Sequence, residues 1–252
     1  MAETMISLKG ISKTYKSMGD EVQALKSVTL DIQRGESVSI MGHSGSGKST
    51  LLSIMGALNP PTSGLIEIDG INIYQLSQEK RADFRREYLG FVFQQFQLIP
   101  YLTAHENVML PLTTTKRSNK EKREMAEEAL IGVGLGKKMN RLPNQLSGGE
   151  QERVAIARAI VNEPPIIFAD EPTGSLDTKT GDEIMELFQK LNEDGLTVLM
   201  VTHNPDNTRY MGRTIMMKDG NLLSSQESRM ISPEGQKGNG GKQHAALSYC
   251  IK

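Results

Sequence analysis

Gly42-His43-Ser44-Gly45-Ser46-Gly47-Lys48-Ser49 follows the pattern G-x-x-x-x-G-K-[ST], and each fixed position has a physical task. The glycines let backbone N–H groups converge on an anion without Cβ obstruction. A helix starting here adds a favourable dipole for negative charge. The cradle extends to Thr50, so Gly42, Ser44, Gly45, Gly47, Lys48, Ser49 and Thr50 are candidate contacts to the phosphates of a nucleotide. Lys48 is placed to reach the β- and γ-phosphates, and the Ser49 hydroxyl to help hold Mg²⁺.

Further along, the apolar run Ile166-Ile167-Phe168-Ala169 closes in Asp170-Glu171. Adjacent strand residues point to opposite sides, so the two acids are expected to have different tasks. Asp170 suits the metal, directly or through water. Glu171 suits polarising a water for in-line attack on the γ-phosphate. Val198 to Val201 runs into Thr202-His203, which sets His203 at the C-terminal edge of a sheet, where ligands bind in open α/β folds. There it is expected to sense the γ-phosphate and orient the water. The other histidines, His43, His105 and His244, form no metal-ligand pattern. Leu146-Ser147-Gly148-Gly149-Glu150 is a second anion-facing helix start in a chain that already has a fuller cradle. One pocket and one spare site predict two chains sharing two nucleotides.

The elements that must position these groups can be read from period and punctuation. The opening third reads as short strands. Val28, Leu30 and Ile32 alternate with polar residues, and Ile66-Glu67-Ile68 faces Ile71 and Ile73 across Asp69-Gly70, a hairpin signal. Glu36 to Met41 is a strand leading into the glycine loop, then a helix carrying Leu51, Leu52, Met55 and Leu58. From Phe96 to Asn162 the texture is helical, with capping boxes at Thr103-x-x-Glu106 and Ser118-x-x-Glu121. Met125, Ala129, Leu130 and Val133 follow the second. Strands return at Ile166 to Asp170 and Thr197 to Val201. Between them lies a helix striped by Ile184, Leu187, Phe188 and Leu191, with Gly195 as its stop. Asp219-Gly220 marks another hairpin. The alternation implies an α/β fold with a mostly parallel, helix-covered sheet, an antiparallel N-terminal β part and a helical insertion. Its expected division is a core over 1–93 and 162–223, a helical subdomain over 94–161, and a mobile tail over 224–252.

Composition narrows the class. With 29 basic and 30 acidic side chains and net charge −1, no basic field draws the chain to nucleic acid. The start, Met1 to Lys9, lacks the basic end and long apolar stretch expected of a signal peptide. The longest apolar runs are strand-sized, against roughly 20 residues for a membrane helix. The single cysteine, Cys250, leaves disulfides no structural work, as in a reducing cytosol.

The phosphate loop, Leu-Ser-Gly-Gly-Glu, Asp170-Glu171, Ser175-Leu176-Asp177 and His203 stand in one order at domain-wide spacing over about residues 4 to 222. This ordered set resembles the ATP-binding cassette (ABC) transporter ATPases, with a phosphate-loop NTPase core. The resemblance implies that Tyr15 stacks on adenine. It implies that Gln94, with Gln95 an adjacent ambiguity, contacts metal and water and links the core to the helical subdomain. Ser147 and Gly149 would face the γ-phosphate held by a second ATPase subunit, a copy of this chain or a close relative. Asp177 would connect the two sites across that interface.

The fifth signature position departs from the family, which usually has glutamine where this chain has Glu150. An acid aimed at a γ-phosphate would be repelled. Ser147-x-x-Glu150 is, however, also a capping box, so Glu150 is expected to point at its own backbone, in a cap typically worth about 1 kcal/mol.

Phe93 to Pro100, Ala169 to Gly174 and Val201 to Pro205 are similar to the subgroup of lipoprotein-release, macrolide-efflux and FtsE-type ATPases. The resemblance thus implies a cytoplasmic ATPase that closes head to tail around two ATP. It would sit peripherally on the inner face of the cell membrane through a separate integral membrane permease, in export or envelope work. A nutrient-importer ATPase shares every motif. A soluble cassette ATPase acting on ribosomes or DNA fits less well, since such proteins usually carry two cassettes or a coiled-coil insertion. Partner contact is expected from Gln94 through about Leu112, around the apolar cluster Leu98-Ile99-Pro100-Tyr101-Leu102, a cluster that core packing explains equally well.

Overall fold

Strand β7 (Ile166–Asp170) alternates between two cores. Ile166 and Phe168 join one buried cluster, Ile167 and Ala169 the other. Strand β8 (Thr197–Thr202) behaves alike, with Leu199 and Val201 on the first side and Val198 and Met200 on the second. A strand covered on both faces needs no polar alternation, which is why both read as continuous apolar runs.

The computed structural model describes residues 3–17 and 20–223, so the expectations for the 224–252 tail and for Cys250 lie outside the described residues. Strands β1 (Thr4–Ser17), β2 (Asp20–Gln33), β4 (Ser63–Ile68) and β5 (Ile71–Asn72) form an antiparallel sheet in the order β2-β1-β4-β5. The second sheet contains β3 (Ser37–Met41), β6 (Leu89–Phe93), β7, β8, β9 (Arg213–Lys218) and β10 (Asn221–Leu222), in the order β10-β9-β3-β8-β7-β6. It is parallel from β9 to β6, and β10 is antiparallel. The expected α/β class is met.

One core lies between the two sheets and includes helix α1 (Lys48–Met55). The other packs the opposite face of the parallel sheet against α5 (Gly148–Ile160) and α6 (Thr178–Glu193), and beyond them α3 (Ala104–Met109) and α4 (Asn119–Gly132). Helix α2 (Gln78–Tyr88) leads into β6. Among the described residues no helix is long and apolar enough to cross a membrane.

Two expectations need correction. The opening strands are not short: β1 and β2 each run 14 residues. Register shifts between Leu8 and Ile11, and again between Ile11 and Lys13, break the period-two pattern without ending the strand. Leu58 does not belong to the buried stripe of α1, which ends at Met55; it lies beyond the helix at 48% exposure. Both expected capping boxes form, Thr103 with Glu106 opening α3 and Ser118 with Glu121 opening α4.

Candidate functional site

Register brings the chemistry together. Across the parallel sheet Met41 pairs with Thr202, Val201 with Asp170, and Asp170 with Phe93. The residues that follow these strand ends therefore emerge in a row along one edge. The row contains Gly42 and its loop, His203, Glu171 and Gln94.

The loop before α1 is packed, not slack. Gly47 has φ +104°, and a Cβ there would lie 2.5 Å from the Ala24 carbonyl oxygen of β2. Ser46 accepts from Gly220 N–H at 3.0 Å, and Gly220 accepts from Lys26 N–H at 2.8 Å. The β1–β2 hairpin is thus fastened to the loop. On that hairpin Tyr15 is 43% exposed, with the Lys13 ammonium 5.1 Å from its ring centroid. The Lys48 side chain is buried, and its Nζ donates to the Gly42 and His43 carbonyls at 2.7 and 3.0 Å. No side chain caps the start of α1, and the buried Ser46 hydroxyl has no partner. A helix start with free amides, an orphaned hydroxyl and a held ammonium is suited to a phosphate chain.

Asp170 stands opposite that loop. Burial pushes its carboxyl above the ordinary range and the Glu171 charge adds to this, while a hydrogen bond with Ser49 and the Lys48 charge pull it back. Among the described residues no group of three or more His, Cys, Asp or Glu stands together as a metal site. The Ser49 hydroxyl, the Asp170 carboxylate and the Gln94 amide are the hard oxygen donors at hand. That short set matches a cation completed by phosphate oxygens and water, as Mg²⁺ usually is.

Glu171 is placed differently from the sequence expectation. Strand alternation does not separate it from Asp170, because β7 ends at Asp170 and Glu171 turns with φ +49°. Its N–H donates to the Val201 carbonyl at 3.0 Å. Left-handed backbone at a non-glycine residue costs about 1–2 kcal/mol, and such strain is typical of positions where a side chain must be aimed. The Glu171 carboxylate accepts from the Thr202 hydroxyl at 3.2 Å and from His203 Nδ1 at 2.8 Å. Glu171 is 13% exposed and His203 62%, so the acid is sheltered and the imidazole open. Gln94 lies beside them: a Cβ on Gly174 would come 3.2 Å from Gln94 Nε2, and Gly174 N–H bonds the Glu171 carbonyl. Gln95 is exposed. Sequence reasoning missed Thr202, whose hydroxyl holds both Glu171 and the Asn204 N–H. A threonine at a strand end carries no signal of its own.

Ser147 caps α5 as expected: its hydroxyl accepts from Glu150 N–H at 3.3 Å, and Glu150 Oε2 accepts from Ser147 N–H at 3.0 Å. Lys138, absent from the sequence reading, pairs with the other carboxylate oxygen. Lys138, then the Ser147 backbone, holds the Glu150 carboxyl below its ordinary range. The acid is spent locally, and the hydrogen bonds of the exposed Ser147 stay within its own helix.

Asp177 caps α6, accepting from Thr180 N–H at 3.1 Å and from its hydroxyl at 2.6 Å. Gly149 packs against the same turn, where a Cβ would collide with Thr180 Cγ2. Gly149→Ala is therefore expected to destabilise the chain by about 1–3 kcal/mol through overpacking. Adding Thr180→Ser should restore it, since serine removes the methyl and keeps the oxygen bonded to Asp177. Urea unfolding of the single and double variants checks this; a double variant no better than the single refutes it.

A family model described as "ABC transporter" matches residues 25–174. The chain is 54% identical over 231 residues to the ABC transporter ATP-binding protein MJ0796 of Methanocaldococcus jannaschii, covering 89% of this chain and 98% of that one. It is 46% identical over 219 residues to the macrolide export ATP-binding/permease protein MacB of Rhodopirellula baltica, 86% of this chain but 32% of that longer protein. Among solved structures, a dimeric post-hydrolysis state of MJ0796 bound to ADP and Pi superposes with TM-score 0.80 at 52% identity, covering 87% of this chain and 97% of that chain.

Proposed function

This chain belongs to the ABC transporter family and is an ATPase of it, and within that family we propose that it is the motor subunit that drives a separate membrane permease. A second copy, or a close relative, closes on it head to tail around two ATP. The observation that carries this reading is the row of Lys48 loop, Asp170, Glu171, Gln94 and His203 along one sheet edge; the exposure of Ser147 at the start of α5 supports a phosphate contact with a second subunit. The dimeric structure of MJ0796, a protein half identical to this one, supports the pairing. Likeness to a macrolide export protein supports work in the outward direction.

In this reading Tyr15 stacks on adenine. The amides from Gly42 to Thr50 hold the phosphates, with Ser44, Gly45 and Gly47 at the turn and Lys48 on the β- and γ-groups. Ser49, Asp170 and Gln94 would hold Mg²⁺, which would supply neutralisation of the phosphate charge. Glu171 takes a proton from the attacking water. His203 bonds Glu171 through Nδ1, so a contact to the γ-phosphate would fall to its other ring nitrogen. Ser147, Gly149 and Asp177 act across the interface. Residues 1–93 and 162–223 form the nucleotide core and 94–161 the helical subdomain. The chain sits on the inner face of the membrane only through the permease.

The permease contact is proposed along the loop after Gln94. Of the apolar cluster, Leu98, Ile99 and Leu102 are half-buried, while Tyr101 is 77% exposed. Buried Asn107 ties this loop down: its Oδ1 accepts from Ile99 N–H at 2.8 Å, and its Nδ2 donates to the carbonyls of Ile99, Leu102 and Thr103. A rigid loop presenting one aromatic ring has the geometry of an interface anchor. Tyr101→Glu is expected to lower co-purification with the permease by about tenfold or more, as loss of a buried aromatic anchor does, while ATP turnover of the isolated chain is kept. Recovery of the permease at wild-type yield refutes the contact. Recovery of the wild-type chain with ribosomes or DNA in place of a permease refutes the function.

A further inference from the structure

Helix α5 carries a carboxyl that the proposed mechanism does not use. Glu152 of α5 is fully buried, and neither of its oxygens has a hydrogen-bond partner. Gly148, Glu152, Ala155 and Ala159 share one face of α5 by helical period. At one end of that face Gly148 approaches the Phe96 ring, and at the other Ala159 is backed by Gly90 of β6. Glu152 therefore lies on the face of α5 that runs from the turn at Phe96 to Gly90 of β6.

That turn is held from the same helix. Phe96 and Gln97 are consecutive non-glycine residues in the left-handed region, at φ +57° and +50°. Both conformations are costly and persist only when something over-determines them. Arg158 supplies the hold, donating from Nη2 to the Phe96 carbonyl at 2.7 Å and from Nη1 to the Gln97 carbonyl at 2.6 Å. Its planar fork matches two adjacent carbonyls in a way a lysine cannot. Gln94 is two residues upstream, packed on the Glu171–Gly174 turn. Gln97 and Arg158 also line a cavity of about 330 Å³ along β6, with Arg86, Phe91, Phe93 and Asn162.

We propose that Arg158 is a positioning residue for ATP hydrolysis, fixing through the Phe96 and Gln97 carbonyls the turn that carries Gln94, and that Glu152 decides whether the guanidinium stays on them. This rests on the role of Gln94 at the metal and water. An unpartnered buried acid is a poor acceptor while neutral and a strong one when ionised. With Glu152 neutral, Arg158 is left to the carbonyls. With Glu152 ionised, the guanidinium whose charge acts on it is drawn off them, the turn loses its hold and Gln94 loses its place.

Burial pushes the Glu152 carboxyl up to about 8, and Arg158 is the one charge acting against this. The residues of β6 and of the turn facing it, Leu89 to Leu98, carry no charge.

Steady-state ATP turnover of the full chain tests the proposal. Arg158→Met is expected to lower kcat by about ten- to hundredfold, the scale of a catalytic group misplaced by about 1 Å, with KM for ATP little changed. Arg158→Lys should recover part of the loss by bonding one carbonyl. Wild-type kcat should fall as pH rises through about 8, and Glu152→Gln should remove that limb.

Thermal stability separates a purely structural acid. A raised folded pKa means stability is complete below the ordinary carboxylate pKa and is lost as pH climbs toward about 8. Glu152→Gln should thus gain Tm over wild type increasingly across that range. A Tm gain with an unchanged kcat–pH profile overturns the proposal, as does Arg158→Met at wild-type kcat. A wild-type chain with no turnover at all sinks the underlying function instead.

Discussion

Glu171→Gln is expected to lower kcat for ATP hydrolysis by about 10²–10⁴-fold, the range a positioned general base supplies, while leaving ATP affinity within a few-fold. The substitution is nearly isosteric. The two bonds that aim the side chain fall on different oxygens, so the amide oxygen can accept from Thr202 while the amide N–H donates to His203 Nδ1 in its other tautomer. Glutamine also tolerates the φ of +49° no worse than glutamate. What it cannot do is take a proton from water. Because the ATP contacts lie elsewhere, in the Gly42–Thr50 loop and across the interface, binding and dimer closure should survive while the step that ends them does not. ATP should therefore trap a dimer that wild type only visits, seen as a shift to twice the mass in size-exclusion chromatography with ATP and its absence with ADP. Turnover within tenfold of wild type would show that another group receives the proton. Lost turnover without the trapped dimer would separate Glu171 from the head-to-tail closure proposed here.

The aim of Glu171 also marks where sequence stopped being sufficient. The acid was legible as the end of an apolar strand, but alternation gave the wrong reason for its separation from Asp170. The strand ends one residue early, and a left-handed turn, tied to Val201, sets the direction. Locally encoded features were read correctly: the caps at Thr103, Ser118 and Ser147 need only a hydroxyl and an acid three residues on. The inward turn of Glu150 followed from the same rule. Lys138, which also holds it, lies 12 residues away with no periodic link. Arg158 is the extreme case, gripping carbonyls 61 and 62 residues upstream. Such partners are chosen by packing of α5 on β6, and one sequence carries no mark of them. The row of Gly42, His203, Glu171 and Gln94 is intermediate. Each residue was visible at a strand end, but that the four ends align is a fact of register.

Lys48→Met should weaken ATP binding by about 10²-fold, roughly 3 kcal/mol, the upper range for hydrogen bonds from a charged group. The structure explains why the loss should fall on affinity and not on folding. In the free chain Lys48 Nζ already donates to Gly42 and His43 carbonyls, both on a loop whose tip is exposed and can be rehydrated. Methionine fills the buried path of the lysine stem with a flexible apolar chain of similar length. The ammonium has three donors, so one remains for phosphate even before the carbonyl bonds are exchanged. Its removal also takes away a cation that lowers the Asp170 carboxyl. That carboxyl should then rise further above its ordinary range, weakening the Mg²⁺ site as well. The two losses share a cause, so the deficit should be larger for ATP with Mg²⁺ than for ATP with EDTA. Titration of a fluorescent ATP analogue under both conditions, with far-UV circular dichroism as the control for folding, makes the comparison. Affinity within threefold of wild type would show that backbone amides and the helix dipole hold the phosphates unaided. An equal deficit with and without Mg²⁺ would instead uncouple Lys48 from Asp170.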